Sequence, residues 1–260
     1  MSAVTLLAAF WALGFAPVLE TGNCPAQPRV QGRPGLLFAV GGGSTPAAVV
    51  RRFLVECGGS QARVLVLPLT REDPAASGPG SVELLQVNGA KNVVMFAVRQ
   101  PSPADRAVLA GQIAKARGIW IPGGDQTLLM QRLGEEFVRQ HLRPAYLRGV
   151  NFFGTSAGAM LMSHPMITGN GDSPGTATTG PGMGLTPWLI DSHFRERNRE
   201  PRLRHAMAAL GNGRGIGLSE QAWVVLRGSE ILEKHGDVSV IEGFDGLFSS
   251  SLAARVKLSK

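Results

Sequence analysis

Between residues 36 and 162, short apolar runs alternate with longer segments whose apolar residues recur every three or four positions. The runs at 36–40, 64–67, 93–96, 119–121 and 150–153 are short and mostly apolar, the pattern of strands buried on both faces. The segments at 46–56, 82–87, 103–115 and 128–141 carry helical spacing, and Ser102 followed by Pro103 is a helix-opening pair. Residues 157–162 read as a further helix. Strand and helix alternating in this way predict an α/β fold with a doubly wound, mostly parallel sheet. After Met162 the character changes. Residues 168–184 are rich in Gly, Thr, Pro and Ser, which predicts a long loop. A helix is predicted over 201–210, and short strands at 216–218, 222–226 and 238–241 predict a small antiparallel C-terminal extension.

The N-terminal pattern is different. Residues 4–18 are apolar and are followed by polar Glu20, Thr21, Gly22 and Asn23, as in the apolar region of a signal peptide. No Lys or Arg precedes the run, and it is too short to span a membrane. The alternative is an N-terminal helix packed on the core. Residues 24–34 are polar and contain proline, as a linker does. The expected organisation is therefore a signal-like segment and linker over 1–32 and a single domain over 33–260. A secreted or periplasmic location is expected, with the cytoplasm as the alternative. Cys24 and Cys57 are the only cysteines, able to pair in an oxidising compartment; Cys57, at the end of a helical pattern, equally reads as a buried thiol. The formal net charge of +7 favours anionic partners.

Candidate chemistry centres on Gly154-Thr155-Ser156-Ala157-Gly158. A strand leads into this G-x-S-x-G spacing and a helix follows, so the serine sits on a sharp turn beside free backbone amides. A hydroxyl in that place suits acyl transfer, where an oxyanion must be stabilised; a tight turn with a capping serine is the plainer alternative. Two more glycine-rich loops, at 41–44 and 123–126, follow predicted strands at the sheet end where open parallel sheets place their sites. The amides of Gly124, Asp125 and Ala157 are candidate oxyanion donors, with Asp125 alternatively a helix cap. Gln126 is a candidate substrate contact. Of five histidines, His193 stands out, because Arg195, Arg197, Arg199, Arg202 and Arg204 follow it. So many guanidinium groups suit a grip on carboxylates. The alternative is a basic face, solvated or holding nucleic-acid phosphates; Phe194 is the lone aromatic there, which argues against single-strand binding. Glu220, at the end of the short strand 215–219, is the candidate partner for the histidine.

These residues resemble the cyanophycinases, serine peptidases with a class I glutamine amidotransferase-like (flavodoxin-like) fold. The resemblance is carried by Gly123-Gly124-Asp125-Gln126, by Gly154 to Ala159, by Asp191-x-His193-Phe194-x-x-Arg197-x-Arg199-x-x-Arg202-Leu203, and by Gly215-Ile216-Gly217-Leu218-x-Glu220. It implies Ser156 as nucleophile, His193 as base and Glu220 as the residue that orients it. It also implies substrate contacts from Gln126, Asp191, Arg197, Arg199 and Arg202, and from Ser192, which stands where the family is expected to have Gln. The implied activity is metal-independent and cofactor-free hydrolysis of cyanophycin or similar β-linked aspartyl peptides, through an acyl-enzyme, releasing β-aspartyl-arginine dipeptides. An aspartyl or isoaspartyl dipeptidase, or a non-catalytic anion-binding module, is the alternative. The implied partner is an acidic peptide or cyanophycin, with no nucleic acid, no stable membrane span, and a homodimer as the assembly.

Overall fold

The computed structural model describes residues 32–243. The apolar segment 4–18 and Cys24, on which the export and pairing expectations rest, lie outside the described residues. The strands are β1 (Leu37–Val40), β2 (Val64–Val66), β3 (Val93–Met95), β4 (Gly118–Ile121), β5 (Asn151–Thr155), β6 (Met166–Asn170), β7 (Ala177–Gly180), β8 (Leu189–Ser192), β9 (Arg214–Leu218), β10 (Trp223–Arg227), β11 (Glu230–His235) and β12 (Val238–Glu242). The helices are α1 (Ala47–Cys57), α2 (Pro74–Ser77), α3 (Pro79–Val87), α4 (Pro103–Lys115), α5 (Gln126–Leu133), α6 (Glu135–Phe137), α7 (Arg143–Leu147), α8 (Ala157–Met160) and α9 (Glu200–Leu210). None of them is long and apolar enough to cross a membrane.

Seven strands form the main sheet in the order β11-β10-β1-β5-β4-β2-β3. β1 to β5 run parallel, and the β10–β11 hairpin adds antiparallel strands at the β1 edge. This is a flavodoxin-like α/β architecture. The central strands are mostly apolar, and buried at nearly every position, because both faces are covered. Leu37, Ala39, Ile119 and Phe152 enter one core, while Phe38, Val40, Trp120 and Phe153 enter the other. Trp120 and Phe153 stack with centroids 3.8 Å apart, and Phe53 of α1 meets Phe153 edge-on at 5.4 Å. Each such ring removes enough apolar surface from water to stabilise the fold by roughly 1.5–3 kcal/mol.

Three features depart from the pattern-based expectations. The helix expected over 128–141 breaks at Gly134, whose φ of 80° no helix can hold, and a π-helical turn follows over Val138–Leu142. Residues 168–184 are not simply a loop. Most of β6 and all of β7 lie within them as a hairpin, with a register shift between Ile167 and Gly169. Their Thr, Gly and Asn content carries little apolar alternation, so periodicity does not disclose it. The C-terminal strands also divide between sheets: β10 and β11 join the main sheet, whereas β9 and β12 join β8 in a separate three-stranded sheet.

Two registers position the site. β1, β5 and β4 are adjacent, so the loops leaving them at Gly41, Ser156 and Pro122 meet at one sheet edge. In the smaller sheet, β8 and β9 pair in parallel with Ser192 opposite Leu218. His193 and Glu220 therefore leave the same end of neighbouring strands.

Candidate active site

Ser156 occupies a backbone conformation, φ 52° and ψ −115°, that residues other than glycine rarely adopt. Its amide donates to the Val40 carbonyl at 2.8 Å, which fastens the turn to β1. The flanking glycines are steric necessities. A β-carbon on Gly154 would lie 2.2 Å from the Gly158 carbonyl oxygen, and one on Gly158 would lie 2.1 Å from that of Ile121. Both obstacles are backbone and cannot swing aside. Strain of this kind, of order 1–3 kcal/mol, persists where the surroundings over-determine it.

The serine faces a continuous hydrogen-bonded relay. Ser156 Oγ lies 2.9 Å from His193 Nε2, and His193 Nδ1 lies 2.7 Å from Glu220 Oε1. His193 is itself at φ 48°, its amide donating to the Gly41 carbonyl at 2.8 Å. Gly41 to Gly43 form a bare shelf beneath the pair. A β-carbon on Gly42 would reach within 2.4 Å of the imidazole, and one on Gly43 within 2.9 Å of the Glu220 carboxylate. Among the described residues four non-glycine positions have positive φ: Ser156, His193, Asn198 and Gln221. Two belong to the relay and Gln221 adjoins Glu220, so the unusual backbone conformations gather at the site. The other four histidines sit elsewhere: His141 against Phe137, His164 beside Gly182, His205 accepting from the Ala177 amide, and His235 stacked on Trp223.

Across from the histidine, Gly123 and Gly124 approach the nucleophile. A β-carbon on Gly123 would lie 3.3 Å from Ser156 Cβ. The amides of Gly124 and Ala157 have no acceptor among the described residues, so both remain available as donors. Asp125 does not join them as a donor and takes the alternative role of helix cap. Its amide donates to the Thr70 carbonyl at 2.8 Å, and its carboxylate caps α5 by accepting from the Thr127 amide at 2.8 Å.

The arginine run is a network built on one buried carboxylate. Asp191 is wholly buried and takes Arg202 in a two-point fork, at 2.7 Å from Nε and 2.6 Å from Nη2. Arg202 also donates to Asn170 Oδ1 at 2.8 Å, which ties β6 to the network. Arg199 donates to the Ser192 carbonyl at 2.7 Å and lies 3.5 Å from Asp191. Burial, then the neighbouring Arg202 charge, pulls the Arg199 pKa down to about 10 despite Asp191. A bound anion would push it back up. Arg197 is exposed and its side chain has no partner among the described residues.

Four of the expected substrate contacts have partners within the protein. Asp191 and Arg202 are committed to each other. Buried Ser192 turns its hydroxyl onto Met160 Sδ at 3.2 Å. Gln126 donates its side-chain amide to the carbonyls of Ile167 at 2.8 Å and Thr168 at 3.1 Å, holding the hairpin in place. A cavity of about 200 Å³ remains beside Ser156, bordered by Gly124, Ala157, Arg197 and Arg199 and also by Gln126, Ser192 and Arg202. Arg197 and Arg199 also border a second cavity of about 370 Å³ beneath the hairpin turn 171–176. Sequence reasoning did not find Thr70 or Asn170, since a lone Thr or Asn carries no pattern. The roles of Gly41 to Gly43 were signalled only as a glycine run.

A hydroxyl within reach of an imidazole, the imidazole held by a carboxylate, and two free amides alongside make a site fit for acyl transfer. The chain is similar to proteins already known. A cyanophycinase from Trichormus variabilis is 31% identical over 201 residues, which are 74% of this chain and 66% of that protein; the match thus spans just under two thirds of that relative. A cyanophycinase from Geminocystis herdmanii is 30% identical over 203 residues, 75% of each chain. The crystal structure of a peptidase from an acI-B1 actinobacterium superposes with a TM-score of 0.64 over 82% of this chain and 93% of that one; at 19% identity this bears on fold alone. Peptidase family S51 matches residues 37–234, from the start of β1 into β11, and so takes in every residue of the relay: the chain belongs to peptidase family S51.

Proposed function

We propose that this chain is a serine peptidase that hydrolyses cyanophycin or a similar β-linked aspartyl peptide. The observation that carries the reading is the Ser156–His193–Glu220 relay opening into a cavity bordered by Arg197 and Arg199. His193 takes the proton from Ser156 Oγ at Nε2 as the oxygen attacks the peptide carbonyl carbon. Glu220 holds the opposite N–H at Nδ1 and stabilises the imidazolium. The Gly124 and Ala157 amides receive the oxyanion. The C–N bond breaks as the amine leaves with the proton from His193, giving an acyl-enzyme. Water, deprotonated by His193, then releases the acid and restores Ser156. With cyanophycin the expected product is the β-aspartyl-arginine dipeptide, its carboxylate held by Arg197 and Arg199. The relatedness to cyanophycinases and the paired guanidinium groups support the choice of substrate.

Incubation of the purified protein with cyanophycin and with free aspartyl dipeptides, followed by mass spectrometry, tests the reading. Dipeptide release from the polymer is expected. Cleavage of free dipeptides alone would instead establish a dipeptidase. Ser156→Ala is expected to lower kcat by several orders of magnitude without unfolding, because the three residues act as a unit. Undiminished turnover by that variant would falsify the serine mechanism.

A further inference from the structure

The loop leaving β2 is clamped to the glycine turn beside Ser156. Thr70, wholly buried, directs its hydroxyl at the carbonyls of Pro122, 3.0 Å away, and Gly123, 3.1 Å away; its own carbonyl receives the Asp125 amide at 2.8 Å. Arg71 comes next. Its amide donates to the Pro68 carbonyl at 3.0 Å, and its carbonyl accepts from Arg132 at 2.5 Å. The backbone of Arg71 is therefore fixed on both sides. Its side chain crosses Gly124, with Cδ 3.3 Å from the place a β-carbon on that glycine would occupy.

Nearby arginines have partners: Arg99 pairs with Glu72 at 3.3 Å, Arg106 donates to the Arg132 carbonyl at 2.7 Å, and Arg132 to the Leu69 carbonyl at 2.8 Å. The exposed Arg71 guanidinium has none among the described residues. It is a free cation on a rigid base, beside Gly124, whose amide has no acceptor among the described residues. It does not border the cavity that holds Ser156 and Arg197, but lies next to Gly124, which does.

We propose that Arg71 is a specificity-determining residue that grips a carboxylate on the part of the peptide extending past Gly124. The proposal rests on the peptidase reading for what the peptide is. Arg197 and Arg199 serve an anion inside the cavity, and Arg71 serves one outside it. A peptide with carboxylates on both sides of the attacked bond is the ligand that uses all three. A guanidinium forks onto a carboxylate, whereas an ammonium keeps the charge and loses the fork.

Binding to Ser156→Ala protein, which leaves the peptide intact, tests this without turnover. The probes are a fluorescently labelled tetra-aspartate peptide and its tetra-asparagine counterpart, followed by anisotropy. Adding Arg71→Ala is expected to weaken tetra-aspartate binding about tenfold and leave tetra-asparagine unchanged, with Arg71→Lys recovering only part. Arg148→Ala, an exposed arginine just before β5 at the far end of the sheet, is expected to change neither. Thermal melts confirm that each variant folds. Equal effects of Arg71→Ala and Arg148→Ala would overturn the proposal, as would equal affinity of the Ser156→Ala protein for the two peptides. Failure of the peptidase reading shows separately, as absence of cleavage by protein with Ser156 intact.

Discussion

The serine turn and the arginine run border the same cavity but are built in opposite ways. At the turn, structure comes from missing side chains: Gly154, Gly158 and the Gly41–Gly43 shelf let backbones and the imidazole approach to distances a methyl group would block. In the arginine run it comes from long side chains at the start of α9 gathered on one buried carboxylate, Asp191 of β8. The first is steric exclusion: it is local between Gly154 and Gly158, and it joins distant segments where Gly158 meets Ile121 and Gly42 meets His193. The second is charge pairing, whose partners are settled once β6, β8 and α9 are packed. Steric devices tolerate no substituent, whereas a charge network divides its members into those that hold and those that act.

That division gives the sharpest test. Asp191→Ala should cost about 3–5 kcal/mol of stability, because it leaves the buried Arg202 cation without its partner. Arg202→Ala should fall in the same range, with activity lost through misfolding rather than weaker binding. Urea unfolding measures both, and a loss below about 1 kcal/mol in either would remove Asp191 as the anchor.

Arg197 should behave as a residue that acts. Arg197→Ala should cost about 1.5–3 kcal/mol in transition-state binding, read from kcat/KM on cyanophycin, while its melting temperature stays unchanged. A stability loss matching that of Arg202→Ala would erase the distinction between them.

A smaller effect contrasts burial with and without a counter-charge. The Cys57 thiol is buried beside Asn151, and burial pushes its pKa up to about 12 from an ordinary 9.0. A raised pKa means the folded state keeps its proton longer than the unfolded chain. The stabilisation is complete below about pH 9 and is lost as pH rises towards 12. Between those limits wild-type stability should fall more steeply than that of Cys57→Ala, by up to about 1.4 kcal/mol per pH unit. Parallel curves from urea titrations at pH 8, 9.5 and 10.5 would contradict a neutral buried thiol.

The sequence by itself determined the α/β alternation, the turn at Ser156 and the run from Asp191 to Arg202, because each is written in neighbouring residues. Five apolar strand runs and the glycine spacing act over short ranges, and local sterics and burial periodicity suffice to read them. It did not reveal that Asp191, Ser192 and Gln126 turn inward, that the Thr70 carbonyl takes the Asp125 amide, or that a hairpin lies within residues 168–184. Those outcomes depend on which distant group comes within hydrogen-bonding distance. A carboxylate or amide looks the same in sequence whether it faces a ligand or the protein, and only the packed strands decide which partner is nearer.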